Sequence, residues 1–259
     1  MVTCYRTLGN QRAIAMLRPD LRKLLRRVKN AVKPHPDRFL AEARGVIHVG
    51  ANTGQERNVY RRRKLRVLWV EPIPEVFATL QANIAGYPQQ RAVQYLVTDR
   101  DDAEYTFHVS SNNGASSWIL DLKLRKDVWP EVSFTREVAM HSVTLPTLLD
   151  KERIDIGDYD ALVMDTQGSE LLVLQGAATI LGRLRFIKTE VPDFEAYAGC
   201  CQLWQMEEFL SAHGFREQRR QKFAERAAGG SYYNVTYERN PSATRVDSPE
   251  STRSGDTKQ

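Results

Sequence analysis

A chain of 259 residues, 42% apolar and 27% charged, has the make-up of a globular protein with a substantial core. No apolar run nears the ~20 residues that a bilayer-spanning helix needs, and arginines interrupt the N-terminus too often for a signal peptide. The three cysteines (Cys4, Cys200 and Cys201) have neither metal-ligand spacing nor an unstrained disulfide geometry, so a reduced, cytoplasmic protein is expected.

The net charge of +5 is gathered at the front. Residues 1–40 hold ten Lys or Arg against two acids, a surplus of eight, which leaves the remainder three charges negative. The sequence pI near 9.1 therefore describes a basic arm, and no nucleic acid is expected against the body. The arm's segment RPDLRKLLRRVKNAVKPHP predicts a helix from Pro19 to Pro34, with Leu21, Leu24, Leu25 and Val28 on one face and cations around the rest. Two readings stay open: a helix packed on the domain with a solvated basic face, or peripheral contact of residues 12–33 with an anionic membrane at its inner surface.

From residue 46 onward, short Val/Ile/Leu-rich stretches alternate with helical ones. Strands are expected near 46–50, 66–71, 92–97, 160–165 and 185–191, with helices near 54–63, 74–85 and 169–181. That alternation predicts an α/β fold with a mostly parallel sheet covered on both faces. Between 98 and 145 the alternation pauses. AEYTFHV and REVAMHSVTL read as additional strands, and the polar loop over residues 110–118 reads as a lid, with Trp118 able to stack on a sugar ring. A helix near 202–213 precedes GFREQRR and SYYNVTYE, which read as a closing antiparallel pair. The expected domain limits are a basic amphipathic arm over 1–38, a folded domain over 39–240 and a polar, disordered tail over 241–259.

Ligands of open α/β sheets sit beyond the carboxyl ends of the strands, so each polar strand-end residue is a candidate. In VIHVGANTGQE, Gly50 is expected to let backbone approach a ligand, and Gly54 to let a helix start close to the sheet. This G-x-x-x-G is not the G-x-G-x-x-G of dinucleotide binding. Glu71 ends the second strand at the offset usual for an acid that accepts ribose hydroxyls, and Pro72 fixes the chain leaving it. Asp99 follows the third strand, where it could face an exocyclic amine or simply solvent. Asp165 ends the fourth strand, as a helix cap, a site residue or both, and Glu190 ends the fifth. Adjacent strands would bring these two carboxylates together, either to raise one pKa for base work or to chelate a divalent cation. No metal ligands are assigned.

The stretches VGANTGQE, WVEPIPEVFATLQANI, VMDTQGSELLVLQGA and TEVPDFEAY followed by FLSAHGF resemble, in this order, the FkbM family of S-adenosylmethionine-dependent methyltransferases. The resemblance covers roughly residues 46–216. It implies a class I methyltransferase (Rossmann-like) seven-stranded sheet, helices on both faces, of order 3-2-1-4-5-7-6 with strand 7 antiparallel. It also implies O-methylation of a sugar, a glycolipid or another small natural product, with S-adenosylmethionine as cofactor. Carried over by position, Gly50, Ala51, Asn52 and Gly54 would hold the amino-acid end of the cofactor, and Glu71 with Pro72 the ribose. Thr98 and Asp99 would flank adenine, and Asp165 and Gln167 would lie beside the sulfonium and the acceptor. His48 stands where many methyltransferases carry an acid and is counted with the cofactor-binding residues; as a neutral imidazole it either braces the loop through a backbone group or is a satisfied core histidine.

An alcohol is a weak nucleophile until its proton leaves, so a base is required. Asp165 is the first candidate, with Glu190 as its partner, and His141 the second; His108 is a weaker one. Rival readings are a non-catalytic module that binds S-adenosylmethionine or a nucleotide and, less favoured, a nucleic-acid methyltransferase; against the latter stands D-T-Q-G where an N-P-P-Y type motif would serve base amines. The missing third glycine disfavours a NAD enzyme. No motif encodes the acceptor, and spacing sets neither metal dependence nor oligomeric state.

Overall fold

The five residues of β1 (Gly45–Val49) are all buried, as a central strand covered on both faces must be. The computed structural model describes residues 37–110, 119–120, 123–129 and 134–240, and residues from Phe39 onward form one compact unit. The basic helix, the lid with Trp118 and the polar tail expected above lie outside the described residues.

Parallel to β1 run β2 (Arg66–Val70), β3 (Gln90–Val93), β7 (Ala161–Met164) and β8 (Phe186–Pro192). β10 (Ser231–Arg239) lies antiparallel between β8 and β9 (Phe215–Glu225). The resulting order is β3-β2-β1-β7-β8-β10-β9, the expected seven-stranded topology with its one reversed strand. Strand order changes direction between β1 and β7, which opens a crevice beyond their carboxyl ends.

Two apolar layers enclose the sheet. On one face, Val46, Val67, Trp69 and Val163 pack with Tyr60 of α1 (Arg57–Arg62) and with Leu80 and Ile84 of α2 (Pro74–Ile84). On the other, Ile47, Leu68, Leu162 and Ile187 meet Leu148 of α3 (Leu145–Lys151), Val173 of α4 (Glu170–Gly176) and Met206 of α5 (Leu203–Ala212). α3 is an element the sequence reading passed over. Its signals were local: Thr144 caps it by accepting from the Thr147 amide, and Pro146 sits in its first turn.

The strand expected over 92–97 is in fact two. β3 stays in the main sheet, whereas β4 (Leu96–Val97) joins β5 (Glu104–Ser110) and β6 (Phe134–Val143) in a small sheet of order β4-β6-β5. This second sheet sends Leu96, Val97 and Phe107 into the crevice.

Candidate active site at the strand ends

The crevice has a volume of about 280 Å³ and is bounded by the carboxyl ends of β1, β2 and β7. Of the predicted residues, His48, Gly50, Ala51, Asn52, Glu71, Pro72, Asp165 and Gln167 line it. Gly54, Thr98, Asp99, Glu190 and His141 do not.

Gly50 lines the crevice and also serves the sheet itself. At φ +77°, a side chain there would place Cβ 2.0 Å from the Asp165 carbonyl oxygen, so glycine is required for β1 and β7 to run side by side. Gly54, at φ +71°, would press a Cβ on Leu80 of α2, which makes it a helix-packing position. Between them Asn52 takes the left-handed conformation (φ +46°), and its amide donates to Glu71 Oε2 at 2.8 Å. The Ile73 amide donates to Glu71 Oε1 at 3.0 Å. Glu71 thus ties the turn after β1 to the exit of β2. Burial pushes its pKa up to about 7, against the pull of those two amides.

His48 is buried, with its ring stacked 5.0 Å from Trp69 and its Nδ1 3.1 Å from the Tyr60 hydroxyl. Burial, helped by the charge of Lys188, lowers its pKa to about 3, so the imidazole is neutral. Its bond goes to a hydroxyl of α1 and not to backbone of the turn, so His48 is a satisfied core histidine rather than the loop brace.

Beyond β7 the acids gather. Burial raises the pKa of both Asp165 and Glu190, with Glu190 raised further by the charge of Asp165. Glu170, which the sequence reading did not single out, opens α4 and folds its side chain back onto the turn that leaves β7. Its carboxylate accepts from the Thr166 amide at 2.8 Å and the Gly168 amide at 3.0 Å, and burial lifts its pKa to about 7. Asp165 is bonded within that turn as well. Its Oδ1 accepts from Gln167 Nε2 at 2.5 Å. Glu56 on the rim of the crevice and Lys188 on β8 also act on Asp165 by charge, the first raising its pKa and the second lowering it. Spacing offered no sign of Lys188, because only the pairing of β1 with β7 and β7 with β8 sets it in one row with His48.

The residues expected around adenine sit elsewhere. Thr98 is buried, with its carbonyl packed where Gly176 of α4 leaves room. Asp99 takes an ion pair from Arg100 (2.7 Å) and a hydrogen bond from the Tyr105 hydroxyl (3.2 Å). The crevice wall there is made instead by Ile73, Tyr95, Leu96, Val97 and Phe107. His141 is exposed on β6, opposite Glu104 of β5, with Nδ1 3.4 Å from the Asp102 carbonyl oxygen. His108 on β5 faces Glu137 at 3.4 Å. The crossing of strands into the small sheet carries both histidines away from the crevice.

A nucleoside carrying a charged sulfur fits these walls. Glu71 spends two of its roughly four lone-pair sites on backbone and keeps the others for hydroxyls. The apolar flank suits a planar base, and Asp165 stands on the same lining. Thr166 Oγ1, also on its lining, is buried without a protein partner, a polar atom left for a ligand. Among the described residues, no group of three or more His, Cys, Asp or Glu side chains is placed to hold a metal ion. No helix among them is long and apolar enough to cross a membrane.

Comparison with known proteins agrees with this geometry. The model of the methyltransferase FkbM domain matches residues 48–217. A 2-O-methyltransferase, NoeI, of Sinorhizobium fredii is 29% identical over 160 residues, a match that covers 60% of this chain and 65%, just under two thirds, of that protein. Similar solved structures include TrmK of M. capricolum in complex with S-adenosyl-homocysteine, at 8% identity and TM-score 0.44, covering 76% of this chain and 62% of that one. Another is magnesium protoporphyrin IX methyltransferase of Synechocystis with bound SAM, at 9% identity and TM-score 0.40, covering 75% and 69%.

Proposed function

Because this chain belongs to the FkbM methyltransferase family and carries its S-adenosylmethionine-dependent domain, we propose that it methylates a hydroxyl oxygen of a sugar, a glycolipid or another small natural product. The observation that carries this reading is the position of Asp165: a carboxylate on the crevice lining, bonded by the Gln167 amide and raised in pKa by burial. When bound, S-adenosylmethionine supplies a methyl group on a sulfonium and leaves as a neutral thioether.

The chain's own residues then have separate tasks. Glu71 receives the ribose hydroxyls, and the wall of Ile73, Leu96, Val97 and Phe107 receives the base. Asp165 accepts the proton of the acceptor hydroxyl, leaving the oxygen lone pair free to attack. Glu190, whose pKa is raised further, stays protonated beside it, so the pair does not carry two adjacent negative charges. His141 and His108 take no part. The 2-O-methyltransferase name of the NoeI relative favours an oxygen acceptor.

The test is an isotherm for S-adenosylmethionine against NAD and ATP. It is followed by incubation with deuteromethyl donor and a panel of free sugars, glycolipids and short RNAs, read by mass spectrometry. Label on a sugar or lipid hydroxyl supports the proposal. Donor binding without transfer to any acceptor would favour a non-catalytic module, and label on RNA a nucleic-acid enzyme.

A further inference from the structure

Gln167 occupies an unusual position. It takes the left-handed conformation (φ +56°) directly beyond β7, and both ends of its amide are engaged. Nε2 donates to Asp165 Oδ1, while Oε1 accepts from the Tyr197 hydroxyl at 3.2 Å and from Arg125 Nη2 at 3.5 Å. We infer that Arg125 and Tyr197 are positioning residues that act through Gln167, holding its amide so that the N–H end, never the oxygen, faces Asp165. This rests on the proposed function, since Asp165 is the base assigned there.

The chemistry of the donors gives the direction. A tyrosine hydroxyl donates or accepts and would serve the amide in either orientation. A guanidinium only donates, and it does not lose its proton. Arg125 therefore fixes the carbonyl end of Gln167 toward itself, and the NH₂ end is left for the carboxylate. A flipped amide would set oxygen lone pairs against Asp165 and demand a proton between them. The N–H, by contrast, favours the ionised form, which is the form that can act as a base.

Arg125 is also held unusually firmly. It is 4% exposed, its guanidinium lies 4.8 Å over the Trp129 ring and 5.9 Å over Tyr197, and its backbone amide donates to the Ala196 carbonyl at 3.0 Å. Its Nε is buried without a partner. An orphaned donor costs stability, and such costs are expected where a site dictates the arrangement. Asp165 is also faced by Glu56 ahead of α1, Glu71 at the end of β2, Glu170 in α4 and Lys188 and Glu190 on β8. Those groups are the same in every variant below.

The experiment measures affinities of the full chain for S-adenosylmethionine and for S-adenosylhomocysteine by calorimetry from pH 5 to 8. Ribose contacts with Glu71 are common to both, so the ratio of the two affinities isolates the response of the sulfonium charge to Asp165. In the wild type, preference for the cation declines on the acid side as Asp165 is protonated. Arg125→Met moves the midpoint of that decline up by about one pH unit. Gln167→Met moves it similarly, and the double variant moves it by less than the sum of the two, because both substitutions cut one relay and only the direct charge of Arg125 on Asp165 is lost besides. Arg125→Lys, which also only donates, returns the midpoint toward wild type. Should Arg125→Met not fold, Arg125→Gln carries the same expectation, since its amide can turn either way. A midpoint unmoved by the change at 125, or shifts that add in the double variant, overturns the relay while leaving the methyltransferase reading in place. A wild-type protein that binds neither molecule overturns both.

Discussion

Glu71→Gln is the sharpest probe of the crevice, because the side chain keeps its shape and loses its charge. In the native site the carboxylate receives the Asn52 and Ile73 amides and retains about two lone-pair sites. Two hydroxyl bonds to a charged acceptor are worth about 1.5–3 kcal/mol each. The amide keeps one at reduced strength and loses the other, so donor binding weakens by ~2–4 kcal/mol, roughly 30- to 1,000-fold in Kd. Stability should change much less. One amide, Asn52 or Ile73, is left facing an NH₂ group at a cost of about 1–3 kcal/mol, but a buried charge disappears. The pH dependence has a definite sign. The folded pKa of Glu71, about 7, lies above its ordinary value of 4.5. Its contribution is therefore fully present below pH 4.5 and lost as pH rises through 7. By linkage that loss is on the order of 3 kcal/mol, and the glutamine variant lacks it. Calorimetry with S-adenosylmethionine and urea unfolding at pH 5 and pH 8 measure both effects. A Kd within about threefold of wild type, together with a stability difference independent of pH, would refute the reasoning.

Three further outcomes are expected. Asp165→Asn should lower the rate of methyl transfer by about 10²–10⁴-fold, the usual contribution of a general base, while binding of S-adenosylhomocysteine stays near wild type; an unchanged rate removes Asp165 as the base. The His48 ring proton signals should show no titration by NMR between pH 8 and pH 5, because its pKa is lowered to about 3; a midpoint near 6.5 would mean that the imidazole is not sealed against Trp69 and Tyr60. Glu170→Gln should lower the melting temperature, since one of the Thr166 and Gly168 amides loses its acceptor at a cost of about 1–3 kcal/mol; an unchanged melt denies Glu170 its role in holding the turn between β7 and α4.

Much of the architecture was legible because it is written in local patterns. Apolar stretches such as Val46–Val49 and Ala161–Met164 mark buried strands wherever they stand, and the polar residue that ends each one marks the ligand edge. Glu71 and Asp165 were found that way, and both line the crevice. The misreadings have equally physical causes. Residues 92–97 are apolar but for Gln94 and read as one strand, but the chain leaves the main sheet after Val93 and enters another at Leu96, which periodicity does not register. Asp99 ends that run and looked like a site acid, yet Arg100 beside it and Tyr105 six residues on satisfy it away from the crevice. His141 carries suitable chemistry on a strand that belongs to the small sheet.

The sequence by itself determined the order of strands and helices and which carboxylates end the strands, because both are set by side-chain period and by neighbours a few residues away. Only the tertiary structure decided which of those acids share a cavity and which holds its proton. Desolvation and charge act through space: Gln167 meets Arg125 across 42 residues of chain, and Asn52 meets Glu71 across 19. No window along the sequence contains those pairs, and the protonation of the site depends on them.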